Sequence, residues 1–146
     1  MADLKLTLEE GRQALGVHVL TRGTRLRQKY GNFIDERTLN TILKDPEFVR
    51  FPVRIEFDSK ELEPGMFGTA RRIEGDADKG YVIKIHEYFH KRTGDWPALV
   101  FYHLATVNYG DFASCNEAEV FGSAALGMEQ EEYYQLLCRL TDSIPS

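Results

Sequence analysis

Residues 86–90 read His-Glu-Tyr-Phe-His, inside the stretch GYVIKIHEYFHKRTGDWP. On a helix, residues four apart lie one turn apart on the same face, so His86 and His90 would grip one ion together. Zinc takes about four ligands in a tetrahedron, and neutral imidazole nitrogen is among its preferred donors. Glu87 would then lie beside the metal, where a carboxylate takes a proton from zinc-bound water. The chemistry implied is hydrolysis, with Glu87 as general base. A shuffled sequence of this composition gives the same spelling roughly once in a hundred, so accident is uncommon but available.

A site of this kind needs a third protein ligand from a later element. NEAEVFGSAALGM begins 26 residues beyond His90 and offers two acids. Glu117 stands three residues after Ser114, the spacing of a capping box, which would engage it with backbone amides at a helix start. Glu119 is free of that duty and stands close to the small residues Gly122 and Ser123. It is the third candidate ligand.

With these residues the chain resembles the zincin-type metallopeptidases, in particular small ones in which a β-hairpin precedes the active-site helix. The resemblance covers about residues 51–128. It implies zinc held by His86, His90 and Glu119, Glu87 as base, and a peptide or protein substrate. The match departs from the pattern in one respect. The helix standing where those peptidases carry their motif is PALVFYHLATVNYG. Read that way, His103 takes the first histidine's position, while the glutamate has become Leu104 and the second histidine Val107. That would be a peptidase fold lacking its base and a ligand.

Two conformations compete at residues 81–90. Tyr81, Val82, Ile83, Ile85, Tyr88 and Phe89 are β-branched or aromatic and favour a strand. In a strand, His86 and His90 would stand about 13 Å apart and could not share one zinc. A helix there keeps the metal site.

The surrounding elements read as α+β: N-terminal helices, a small antiparallel sheet with a hairpin, and C-terminal helices, together a zincin-like arrangement. Thr7-Leu8-Glu9-Glu10 is a capping box. Gly11, Gly16 and Gly23 weaken the segment after it, which predicts short helices in place of one long one. In DERTLNTILKDP, Asp35 caps a helix whose apolar face is Leu39, Ile42 and Leu43, and Pro46 stops it. Phe51, Val53, Ile55 and Phe57 alternate with polar residues, as in a strand with one buried face. EPGMFG supplies a turn at Pro64-Gly65. TARRIEG and YVIKIHEYF flank DADKG as a hairpin. Pro97 suits the start and Gly110 the end of a helix that is apolar nearly all round, hence central. The last helix, EQEEYYQLLCRL, has acids in its first turn and Arg139 in its last, matching the helix dipole.

The chain has 146 residues, 42% hydrophobic and 28% charged, which fits one globular domain over residues 1–146. No apolar run approaches the roughly 20 residues of a membrane span. The N-terminus has no secretory pattern, so a cytoplasmic location is expected. In that compartment Cys115 and Cys138 are expected as reduced, buried thiols. The net charge of −5 argues against nucleic acid as main partner. Residues 1–72 nevertheless carry 13 Lys/Arg against 11 Asp/Glu. The excess lies in TRGTRLRQKYG, with Arg22, Arg25, Arg27 and Lys29, read as a solvated helix face. His18, in an apolar stretch, reads as a hydrogen-bonded core residue.

Two functional readings follow. One is a zinc-dependent hydrolase on His86, Glu87, His90 and Glu119. The other is a non-catalytic interaction domain on the same scaffold, forming a homodimer through apolar surface that one small core does not bury.

Overall fold

A computed structural model describes residues 7–31 and 33–145. Helix α1 (Leu8–Tyr30) opens with the expected capping box: Thr7 Oγ1 accepts from the Glu10 amide at 3.1 Å, and the Glu10 carboxylate accepts from the Thr7 amide at 3.3 Å. It then runs unbroken for 23 residues, where short helices were expected. A glycine costs an exposed helix about 1 kcal/mol, and packing of one face outweighs that. Val19, Gly23 and Leu26 are the buried face. Gly23 permits close approach to a second helix: a Cβ there would stand 2.7 Å from Ala124 Cβ and 2.8 Å from the Phe121 carbonyl oxygen.

Helix α2 (Glu36–Leu43) is capped as expected, with Asp35 Oδ1 accepting from the Thr38 amide at 2.7 Å, and it buries Leu39 and Ile42 completely. The segment after it is fastened to α1 by the basic stretch. Arg25 meets the Glu47 carboxylate at 3.1 Å, Lys29 meets Asp45 at 2.7 Å, and Arg22 donates to the Glu47 carbonyl at 3.2 Å. Arg25 and Lys29 thus pair with acids of this chain, and Arg22 holds its backbone.

Asp45 also accepts the Tyr30 hydroxyl at 2.6 Å. The Lys29 and Tyr30 hydrogen bonds hold its carboxyl down at about 2, against an ordinary 3.8. A depressed carboxyl contributes stability above its unfolded value, and that contribution disappears as pH falls toward 2. Asp45→Asn is expected to cost about 1 kcal/mol at neutral pH, after allowance for solvent screening. Urea unfolding at pH 7 and pH 2.5 checks this: the gap between the two proteins should shrink at the lower pH.

Strands β1 (Val53–Phe57), β2 (Gly68–Arg72) and β3 (Tyr81–Ile85) form one sheet in the order β1-β3-β2. The hairpin is present, with β2 antiparallel to β3 from Gly68↔Ile85 to Arg72↔Tyr81. β1 pairs with β3 in parallel, Val53↔Tyr81 to Phe57↔Ile85, so the sheet is mixed and not antiparallel. Alternation of apolar residues marks a strand without fixing its direction, and here the chain passes through the outer strand β2 before returning to the centre. β3 is accordingly the most buried strand, with only Lys84 partly exposed.

Helix α3 (Trp96–Tyr109) packs on β2 and β3, with Pro97 in its first turn and Gly110 as its C-cap. Ten of its residues are buried, as its all-round apolar sequence requires. Helix α4 (Cys115–Leu126) lies between α1 and α3, and α5 (Gln130–Asp142) packs on α4. Asn108, near the end of α3, joins α3 to the 45–52 segment: its Nδ2 donates to the Phe48 carbonyl at 2.7 Å and its Oδ1 accepts from the Arg50 amide at 2.8 Å. No described helix is long and apolar enough to cross a membrane.

Candidate functional site

The HEYFH segment is neither a continued strand nor an α-helix. β3 ends at Ile85, and Glu87–Phe89 form a single 3-10 turn. The His86 amide donates to the Phe67 carbonyl at 2.8 Å, a last bond to the segment that leads into β2. Its Nδ1 then accepts from the Tyr88 amide at 3.1 Å, which caps the turn. Phe89 is fully buried, so the turn closes by driving one ring into the core. A 3-10 turn has three residues per turn, so positions four apart are not stacked on one face as in an α-helix.

His90 is exposed and rests on the Phe57 ring, 4.8 Å between centroids. Glu87 is exposed and accepts the Ser59 hydroxyl at 2.9 Å. Glu119 is on α4, half-buried, with Gln130 Nε2 at 3.4 Å from its Oε1. His86, His90 and Glu119 do not form a three-ligand set: no group of three or more His, Cys, Asp and Glu side chains able to hold a metal occurs among the described residues.

α3 presents a different arrangement. His103 is 7% exposed, and its Nε2 is buried without a hydrogen-bond partner. That nitrogen faces the edge strand, where a Cβ on Gly68 would come within 2.9 Å of it. The Phe67 and Tyr102 rings flank the imidazole, each 5.4 Å away. Burial alone lowers the His103 pKa to about 4, so the ring is neutral at physiological pH. Leu104 and Val107, at the two positions where the resemblance sets a glutamate and a histidine, have no exposed surface.

Glu117 differs from its expected role. The Ser114 side chain caps no backbone amide. Ser114 donates instead to Glu117 Oε2 at 2.5 Å, while Oε1 is buried and unpartnered. A buried carboxylate oxygen without a donor is costly, and such exceptions concentrate at functional or water-holding positions. The Ser114-to-Glu117 spacing predicts a cap, but spacing alone cannot tell a side-chain donor from a backbone one. Other expectations also change. His18 is exposed and meets Tyr109 edge to face at 5.5 Å, not buried in the core. Cys115 and Cys138 are free thiols, the first exposed and the second half-buried.

A wide concave surface lies elsewhere. A cleft of about 1200 Å³ opens between the end of α1, α2, the start of α3 and α5. Tyr30, Ile34, Pro97, Met128 and Leu136 give it an apolar lining. Phe33 stands at this cleft and is 82% exposed. No family model matches this chain, and comparison with curated proteins and with solved structures gave no match.

Proposed function

We propose that the protein is a non-catalytic protein-interaction domain on a degenerate zincin-like scaffold, self-associating as a homodimer. One observation supports this reading: on α3, Leu104 and Val107, where the resemblance would set a base and a second ligand, are fully buried apolar side chains beside a closed-off His103. A hydrolytic zinc site needs three protein ligands and access for water, and a helix so packed offers neither. The apolar cleft and the exposed Phe33 supply the surface for association. An aromatic side chain left 82% exposed beside an apolar cleft is the usual form of an interface anchor.

The competing reading is a zinc-dependent peptidase in which His86, His90 and Glu119 hold zinc and Glu87 is the base. Metal analysis and sedimentation of protein purified without chelator separate the two. The expected outcome is a dimer at about 10 µM carrying less than about a tenth of an equivalent of zinc. A monomer with near-stoichiometric zinc overturns the proposal in favour of the peptidase. Phe33→Ser is expected to weaken the dimer about tenfold, the usual cost of losing one aromatic anchor. Its melting temperature measured on the monomer should be unchanged, since the side chain is exposed.

A further inference from the structure

A second, smaller cavity of about 320 Å³ lies where α1, the 46–50 segment and the end of α3 meet. Its charged and polar lining is His18, Arg22, Glu47, Arg50, Asn108 and Tyr109. The one acid is already engaged: the Glu47 carboxylate meets Arg25 at 3.1 Å and Lys29 at 3.4 Å. Arg22 is held in place by its bond to the Glu47 carbonyl, and Arg50 lies over the Phe51 ring at 5.2 Å. Among the described residues, neither guanidinium has a carboxylate within 4.0 Å. The floor is fixed, because Asn108 uses both ends of its amide on the backbone of Phe48 and Arg50.

We propose that this cavity binds the phosphoryl group of a small phosphorylated molecule between Arg22 and Arg50. Arg22 and Arg50 both line this concavity, and an anion reached by both side chains would take charge-assisted hydrogen bonds from each. A carboxylate carries one charge and satisfies one guanidinium fork. A phosphoryl dianion has the charge and the oxygens for both. The cavity exceeds the volume of phosphate alone, and the Tyr109, Phe48 and Pro46 side of the lining accommodates an organic group. The cavity includes none of His103, Leu104 and Val107 and shares only Pro46 with the large cleft, and the proposal holds whether or not the domain dimerises.

The test is a titration of the full chain with inorganic phosphate, phenyl phosphate and acetate at constant ionic strength, followed by amide NMR shifts. Inorganic phosphate should give saturable shifts at Arg22, Arg50, Asn108 and Tyr109. Phenyl phosphate should bind more tightly, and acetate at least about tenfold more weakly. Arg22→Gln and Arg50→Gln should each weaken phosphate binding about tenfold, the loss expected for one charge-assisted contact. Arg37→Gln, on α2 and outside this cavity, should leave it unchanged. The proposal is overturned if acetate equals phosphate, if Arg37→Gln weakens binding as much, or if no saturation occurs below about 10 mM. It also fails if Arg22→Gln and Arg50→Gln lower the melting temperature equally with and without phosphate. The two side chains would then serve only the fold, as Arg22 does through the Glu47 carbonyl.

Discussion

Gly122→Ala is expected to be among the most destabilising single substitutions in this chain, at about 3 kcal/mol. A Cβ at Gly122 would overlap the Tyr133 ring at Cε2, Cζ and the hydroxyl oxygen. Tyr133 has no exposed surface and its hydroxyl donates to the Ala98 carbonyl at 2.6 Å, so the ring is held at both ends. To admit the methyl group, either the ring leaves its place or α5 moves away from α4. The first loses the buried hydrogen bond and part of an aromatic's burial, each about 1–3 kcal/mol. The second opens the α4–α5 contact along its length. Alanine's higher helix propensity returns only about 1 kcal/mol. Gly16→Ala is the matched control. Gly16 also lies inside a helix, but a Cβ there meets nothing within 4 Å, so the same exchange should be neutral or stabilising by up to about 1 kcal/mol. Urea unfolding of both variants gives the test. Equal stability of Gly122→Ala and the parent would show that the helices are not packed as described. In the double variant Gly122→Ala/Tyr133→Leu, part of the loss should return.

What could be read from the sequence, and what could not, follows from the range of the forces. Thr7 with Glu10, Asp35 with Thr38, and Pro97 with Gly110 act within a turn or at one helix end, and each stands where its neighbours predict. The burial of α3 was legible too, because a helix apolar on every side can only be central. The length of α1 was not. Its glycines weaken the isolated helix, and the compensation comes from α4, about a hundred residues away in the chain. The parallel pairing of β1 with β3 was likewise beyond reach, since Val53, Ile55 and Phe57 show the same alternation under either direction.

The proposed metal segment marks the same boundary more sharply. Helix and strand at residues 86–90 would each extend a regular pattern. The 3-10 turn is set by particulars: a carbonyl of Phe67, an imidazole nitrogen that caps, and a cavity for Phe89. Glu117 was assigned to a cap by spacing, whereas its surroundings bury it with one oxygen unpartnered. The basic stretch is the solvated face its composition predicts, with Arg25, Arg27 and Lys29 exposed, but that Arg25 and Lys29 also meet acids following α2 is not in the spacing. In each case a polar side chain has a definite partner or none, and only the folded arrangement determines which.

Stability is expected to fall by roughly 3 kcal/mol between pH 7 and pH 4 through His103 alone. The imidazole sits at about 4 in the folded chain because burial opposes its charge, against about 6.5 for a solvated histidine. The unfolded chain therefore takes up the proton first as pH falls. Stability from this group is complete above about 6.5, declines between 6.5 and 4, and changes no further below 4. Asp45 adds little within this window, because its contribution begins to fall only as pH approaches the unfolded value of 3.8, at the window's lower edge. Among the described residues no acid charge acts on the ring: Phe67 and Tyr102 flank it, Gly68 stands against Nε2, which has no partner, and burial is the one cause of its shift. His103→Gln removes the titration and keeps a polar side chain of similar length. Its urea midpoint should lie below the parent's at pH 7 and approach or pass it near pH 4.5. A stability difference between the two proteins that stays constant from pH 7 to pH 4.5 would mean that His103 is hydrated in solution. It would also open the α3 face that is here described as sealed, and with it the strongest argument against a catalytic metal on that helix.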